Sequence, residues 1–247
     1  MARTYRTEAV VLRSFRLGEA DRIVHLYTSE RGRIGAVAKG IRKTKSRFGG
    51  RLEPLSHVSM QLHQGSGELQ TVTGADLRAS HHETREEPYR LAVGLIGAEA
   101  MLRLFPEQEA NERAFTALTR FLDRLDELPT GAPAAPALDA LGLSFQLKLL
   151  WLSGYLPHVG SCAECGSAGP LAGYSARAGG TVCTSCSAGA LALSADGLAG
   201  MDGLLRSPLA DARTAGLTER GAREVLSVIT SSYEEHGGFR LRTLRAG

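Results

Sequence analysis

Over the first 80 residues apolar positions recur in short runs, several alternating with polar ones, the period of half-buried strands. Glu8–Phe15 holds Ala9, Val10, Val11 and Leu12, and Ile23, Val24, Leu26 and Tyr27 mark a second strand. After the turn signal Ser29-Glu30-Arg31-Gly32, Ile34–Ala38 makes a hairpin partner. Val58, Met60 and Leu62 alternate with polar residues, and a fifth strand starts at Leu69–Val72 beyond Gly65-Ser66-Gly67. Five short strands in residues 1–80 predict a small closed or nearly closed barrel, although an SH3-like barrel or a small sandwich shares the pattern.

Beyond residue 80 the period becomes helical. Thr84 and Glu87 have capping-box spacing, and Leu91, Leu95, Ala98, Leu102 and Phe105 follow on one helix face. Phe115, Leu118, Leu122 and Leu125 mark a second helix, and Pro129–Pro136 reads as a surface connection. Leu138–Leu152 is apolar on nearly all sides, as in a buried central helix. Ser194 caps a segment holding Leu198, Met201, Leu204 and Leu205. A last helix from about Leu217 turns Ala222, Val225, Leu226, Ile229 and Tyr233 inward, and Phe239–Gly247 reads as a frayed basic end. The pattern predicts an α+β multidomain chain. A β-barrel domain spans 1–80 and a helical domain 81–247, with a four-cysteine module inserted at about 158–190.

Charge changes the picture of the first domain. The 247 residues carry a net charge of only +3, but residues 1–80 hold 14 Lys and Arg against 7 Asp and Glu. Lys39–Arg51 concentrates six of these cations (Lys39, Arg42, Lys43, Lys45, Arg47 and Arg51) with no acidic residue, between two predicted strands. A basic, glycine-punctuated loop projecting from a sheet is a surface for polyanions, phosphate backbones above all; as a lone cluster it is equally a solvated loop.

The cysteines change the picture of the second. Cys162-Ala-Glu-Cys165 and Cys183-Thr-Ser-Cys186 stand seventeen residues apart, the spacing of a four-thiolate zinc site. Two CxxC turns direct four sulfurs at one ion and leave no open position, which makes the metal structural. His158 is an alternative ligand. The chain shows neither a signal peptide nor a membrane-spanning run, and with paired CxxC motifs this reads as a cytoplasmic protein. No phosphate-binding loop, GxGxxG, GxSxG or HExxH is present, and His81-His82-Glu83 is only a weak metal candidate. Nothing assembles into acid, base and nucleophile, so a non-enzymatic role is expected.

The run EAVVLRSFRLGEADRIVHLYTSERGRIGAVAKGIRKTKSRFGG, followed by LEPLSHVSMQL, resembles the opening of the RecO family of bacterial DNA repair and recombination proteins. The most specific residues are Gly18-Glu19-Ala20-Asp21-Arg22, Thr28, Arg31-Gly32, Lys39-Gly40 and Ser46-Arg47-Phe48, and the order of barrel, helices, CxxC pairs and helices continues the likeness. The resemblance implies an OB-fold barrel, a helical domain and a zinc module. It also implies a nucleoid-associated mediator that binds single- and double-stranded DNA and anneals complementary strands. With RecR, it would help load RecA on strands coated by single-strand-binding protein, whose acidic tail the helical domain would dock.

An OB barrel commonly stacks bases on aromatic side chains, yet residues 1–80 contain only Tyr5, Phe15, Tyr27 and Phe48. Phe15 and Tyr27 lie among strand residues and serve the core in this reading, which leaves Phe48 to stack. Affinity is then expected mainly from phosphate contacts by the loop cations, with Phe48 as the stacking candidate and Arg22, Arg31 and Arg33 as cations that would widen the patch. If four cations neutralise phosphates, log affinity for single strands falls with log salt at a slope of roughly −3. Three other readings fit the same features: an RNA-binding protein, a DNA-processing enzyme, and an adaptor whose loop meets an acidic partner.

Overall fold

The computed structural model describes residues 3–129 and 135–245, so most of the Pro129–Pro136 connection lies outside the described residues. The chain forms two compact units, Met1–Leu128 and Pro129–Gly247. Strands give way to helices after Ala79, whereas compactness divides the chain later, after Leu128.

In the first unit β1 (Arg3–Leu17), β2 (Asp21–Thr28), β3 (Gly32–Ala38), β4 (His57–Gln64) and β5 (Gln70–Ala79) close a barrel in the order β1-β2-β3-β5-β4. Neighbours run antiparallel except β3 and β5, whose parallel pairing at Ala36↔Gln70 and Val37↔Thr71 completes the ring. Val11, Val24, Leu26, Ile34, Val58, Met60, Leu62 and Val72 fill the interior. Tyr27 is fully buried, as expected, with its ring edge-on to Phe105.

Phe15 departs from expectation. The register of β1 against β2 slips between Val11 and Arg13, where one extra residue forms a bulge. Because side chains alternate with a period of two, one inserted residue exchanges the faces of everything after it. Ser14, opposite the inward Val24, takes the inner face, and Phe15, opposite Ile23, is turned out and 38% exposed.

The helices α1 (His82–Glu86), α2 (Pro88–Leu104) and α3 (Glu112–Asp126) belong to this unit, and polar contacts tie them to it. Arg33 on β3 donates to the Leu102 carbonyl, and the Gln108 N–H donates to the Arg33 carbonyl. The expected capping box is not the one used. Glu87 caps α2 by accepting from the Arg90 N–H, while Thr84 is buried and bonded to Asp126. A helix break at Glu87 lets Pro88 occupy the first turn, where its missing N–H costs nothing.

In the second unit α4 (Ala140–Leu152) is buried on nearly every side. It packs with α5 (Ala195–Arg206) and α6 (Glu219–Gly237). Lys148 donates to the carbonyls of Leu204 and Ser207 and so caps the end of α5; burial lowers its pKa. Ser194 caps α5 through the Gly197 N–H, as the sequence suggests. Between α4 and α5, β6 (Leu171–Ser175), β7 (Gly180–Cys183) and β8 (Leu191–Ala192) form a small sheet in the order β7-β6-β8. The tail is not frayed through its described length: Phe239 and Leu241 are buried, and Phe239 stacks on Tyr233.

Candidate nucleic-acid interface and metal centre

The loop from Lys39 to Arg51 is a series of turns pinned to the barrel. The Gly40 N–H donates to the Asp21 carboxylate at 2.7 Å, and the Arg42 N–H to the Ala20 carbonyl at 2.9 Å. Gly40 sits at φ +68°, a left-handed position that a side chain would strain. Ser46 bonds back to Lys43, and a single 3-10 turn, Gly49–Leu52, closes the loop.

Six cations are exposed, but they divide into two chemical sets. The arginines are committed: Arg42 donates to the Gly18 and Glu19 carbonyls, Arg47 to Val72, and Arg51 to Arg47 and Phe48. Lys39, Lys43 and Lys45 are exposed, and among the described residues none is held in an ion pair. Phe48, expected to stack on bases, is instead 1% exposed and part of the barrel core. The Phe48 ring closes the barrel under the loop, with the Arg47 guanidinium 4.8 Å from its centroid. Arg22 pairs with Glu53, Arg31 stacks on the Tyr5 ring and bonds Gln64, and Arg33 pairs with Glu107, so none of these three widens the free set.

Several residues of the sequence signature are explained by this construction. Thr28 accepts from the Arg31 N–H and donates to the Gly32 carbonyl, which closes the β2–β3 turn. Gly32 is required: at φ +61°, a Cβ there would lie 1.9 Å from the Glu109 carbonyl oxygen.

Cys162, Cys165, Cys183 and Cys186 bring four sulfurs within 4.8 Å of one another. The first pair is shaped by a knuckle in which the Gly166 N–H donates to the Cys162 carbonyl, with Gly166 at φ +74°. The second pair spans the end of β7 and the 3-10 turn Thr184–Cys186. Backbone N–H groups of Cys183 and Cys165 draw the Cys162 thiol down to about 6, while the Cys165 and Cys183 sulfurs push Cys186 up to about 12. One member readily becomes a thiolate and the crowding suppresses another, a conflict that a bound cation removes. Four thiol donors closing around one point fit zinc, and they leave it no open coordination position.

His158 lies outside this group, exposed and bonded to Ser161 at 2.8 Å. His81, His82 and Glu83 do not converge: His81 is buried on Asp126 at 2.8 Å, and His82 faces Glu86. Among the described residues no helix is long and apolar enough to cross a membrane.

Comparison with known proteins gives a consistent result. A family model described as Recombination protein O N terminal matches residues 1–81, and one described as Recombination protein O C terminal matches residues 85–245. The DNA repair protein RecO of Rubrobacter xylanophilus is 39% identical over 230 residues, covering 90% of this chain and 89% of the relative. That of Frankia casuarinae is 42% identical over 226 residues, 86% of this chain and 89% of the relative. That of Thermobifida fusca is 36% identical over 243 residues, 98% and 97% respectively.

Proposed function

The chain belongs to the RecO family of DNA repair proteins, and on that footing we propose that it is a non-enzymatic recombination mediator. It binds single- and double-stranded DNA and anneals complementary strands. With RecR, it helps load RecA on strands coated by single-strand-binding protein, whose acidic tail docks on the helical domain. The barrel acts as an OB-fold, and the four cysteines hold one structural zinc ion.

The observation that carries this reading is the pinned loop with three unpaired lysines. Ammonium groups on flexible stems bind phosphates as point charges without selecting a base. A strand held by its phosphates keeps its base edges free, which is what annealing demands. Three contacts predict a log–log salt slope of about −2 for single strands, shallower than six mobile cations would suggest. The zinc ion would be held by Cys162, Cys165, Cys183 and Cys186 and would supply order to the module, not chemistry.

The test is annealing of complementary strands coated by their single-strand-binding protein, comparing wild type with Lys39→Glu/Lys43→Glu/Lys45→Glu. The triple variant should melt like wild type, because these side chains are exposed, and lose at least about tenfold in annealing rate, each reversal replacing attraction by repulsion. Annealing at the wild-type rate would move the DNA contact off the loop. A wild type that does not anneal would end the mediator reading.

A further inference from the structure

Burial of Phe48 leaves the loop without an aromatic surface for bases, and the bulge in β1 supplies one elsewhere. Phe15 and Leu17, 38% and 39% exposed, lie on the outer face of β1. Phe15 pairs with Ile23 of β2, and Ile23 pairs with Val37 of β3. Next to that row Arg13 pairs with His25, which pairs with Gly35. Leu69, 41% exposed, lies where a Cβ on Gly35 would come within 2.6 Å of it. The Arg13 guanidinium stands 4.2 Å over the Phe15 ring, and the His25 ring meets that of Phe15 edge-on, 5.6 Å between centroids at 85°.

This face adjoins the basic loop. The turn joining β1 to β2 supplies the Gly18, Glu19 and Ala20 carbonyls and the Asp21 carboxylate that hold the loop. Among the described outward positions Ile23, His25, Gly35 and Val37 of β2 and β3 only His25 carries a ring, and it meets Phe15 edge-on, so Phe15 supplies the phenyl surface of this part of the barrel.

We propose that the outer face of β1–β2–β3 takes an unpaired nucleobase, stacked on the Arg13–Phe15 pair, from a strand whose phosphates the three lysines hold. The inference rests on the DNA-binding reading above and adds to it the ability to distinguish single strands from duplex. A guanidinium over an aromatic ring offers a flat, cationic surface that suits a π system linked to an anionic backbone. An apolar protein segment would have to desolvate Arg13 to lie on the same ring, which disfavours it as the occupant. Bases inside a duplex present no free face, so the contact serves unpaired strands only.

The experiment measures binding of a labelled oligothymidine, the same strand with abasic sites, and a duplex, by anisotropy. Wild type is compared with Phe15→Ala, Phe15→Tyr and the triple lysine variant. Phe15→Ala should weaken binding of the normal strand about tenfold, the cost of one lost stack, and leave the duplex unchanged. Phe15→Tyr keeps the ring and should bind like wild type. Wild type should bind the abasic strand as weakly as Phe15→Ala binds the normal one. Wild-type affinity of Phe15→Ala for oligothymidine, or equal losses on strand and duplex, would overturn the proposal. If the lysine variant is defective in the same assay, the mediator reading survives that result. Normal oligothymidine binding by Phe15→Ala, together with failure in the annealing assay on strands coated by single-strand-binding protein, would assign the face to a protein partner and overturn it equally. Wild type that binds none of the three ligands would defeat both.

Discussion

The barrel and the cysteine module both hold loops in fixed positions, and they do so by opposite means. In the barrel, Leu26, Leu62, Met60 and Val58 from facing strands are fully buried around Phe48, and the basic loop is fastened to that core by backbone bonds. In the module the buried cluster is Cys162, Val182 and Cys183, with Leu171, Cys186 and Ala190 packed against it. Three of those six residues are the sulfur donors themselves. A closed barrel of this size draws its order from apolar burial, at about 25 cal/mol per Å². The module has little apolar surface for that, and the structural zinc proposed above would be its source of order. Where burial is ample a chain is indifferent to metal, and where it is scarce the metal becomes part of the core.

Metal removal gives the largest expected separation. Cys165→Ser, or chelation of the wild type, should empty the site and melt the segment around β6, β7 and β8. Structural zinc is worth on the order of 10 kcal/mol in small domains. Hydrogen exchange should rise to the unprotected rate at Val182 and Thr181, which are fully buried, while Leu26 and Leu62 in the barrel keep their protection. Measured zinc content falls in parallel. Full protection of the module without metal would erase the contrast.

A cut in the apolar core should do the reverse. Phe48→Ala removes a ring that is 1% exposed and leaves a cavity beneath the loop, at a cost of about 3–5 kcal/mol. Denaturant unfolding followed at the barrel should show that loss, with zinc content unchanged. If Phe48 were a stacking residue on the surface, the same substitution would leave stability intact and lower DNA affinity.

The exchange between Phe48 and Phe15 shows where sequence pattern stops being informative. Alternation located the strands correctly, because a period of two survives in any half-buried sheet: β2 and β3 each enclose the segment expected of them. The four cysteines were legible because ligand spacing is a local property, and Ser194 because a cap acts over three residues. The side-chain faces beyond Val11 were not legible. Nothing in Val10-Val11-Leu12 announces a bulge, and the bulge exists only relative to its partner strand. Phe48 misled for a related reason. It stands in a polar, cationic run, and only the closed ring of strands below it makes an apolar site there. The commitment of Arg42, Arg47 and Arg51 to carbonyls is equally invisible, since sequence counts charges and does not say which donors are already engaged. The module's sheet was missed because β7 and β8 run for only four and two residues.

The smallest expected difference is in acid, and its sign follows from burial. His57 on β4 is packed edge-on against Phe115, and burial lowers its pKa below the ordinary 6.5; His81 pushes the same way, while Glu8, 3.1 Å from Nε2, and Asp123 oppose. His25 is lowered too, first by burial and then by Arg33. Below pH 6.5 the unfolded chain therefore binds more protons at these positions than the folded one, and stability falls as pH drops toward the folded values. The barrel unit should lose a modest part of its stability between pH 7 and pH 5.5, read by exchange at β4 so that acid loss of zinc from the module does not enter. His57→Gln should flatten that slope and leave the contribution of His25. A barrel that grows more stable on acidification would mean that pairing with Glu8 outweighs burial, so that His57 belongs with the charged groups of the surface and not with the core that sets the barrel apart from the module.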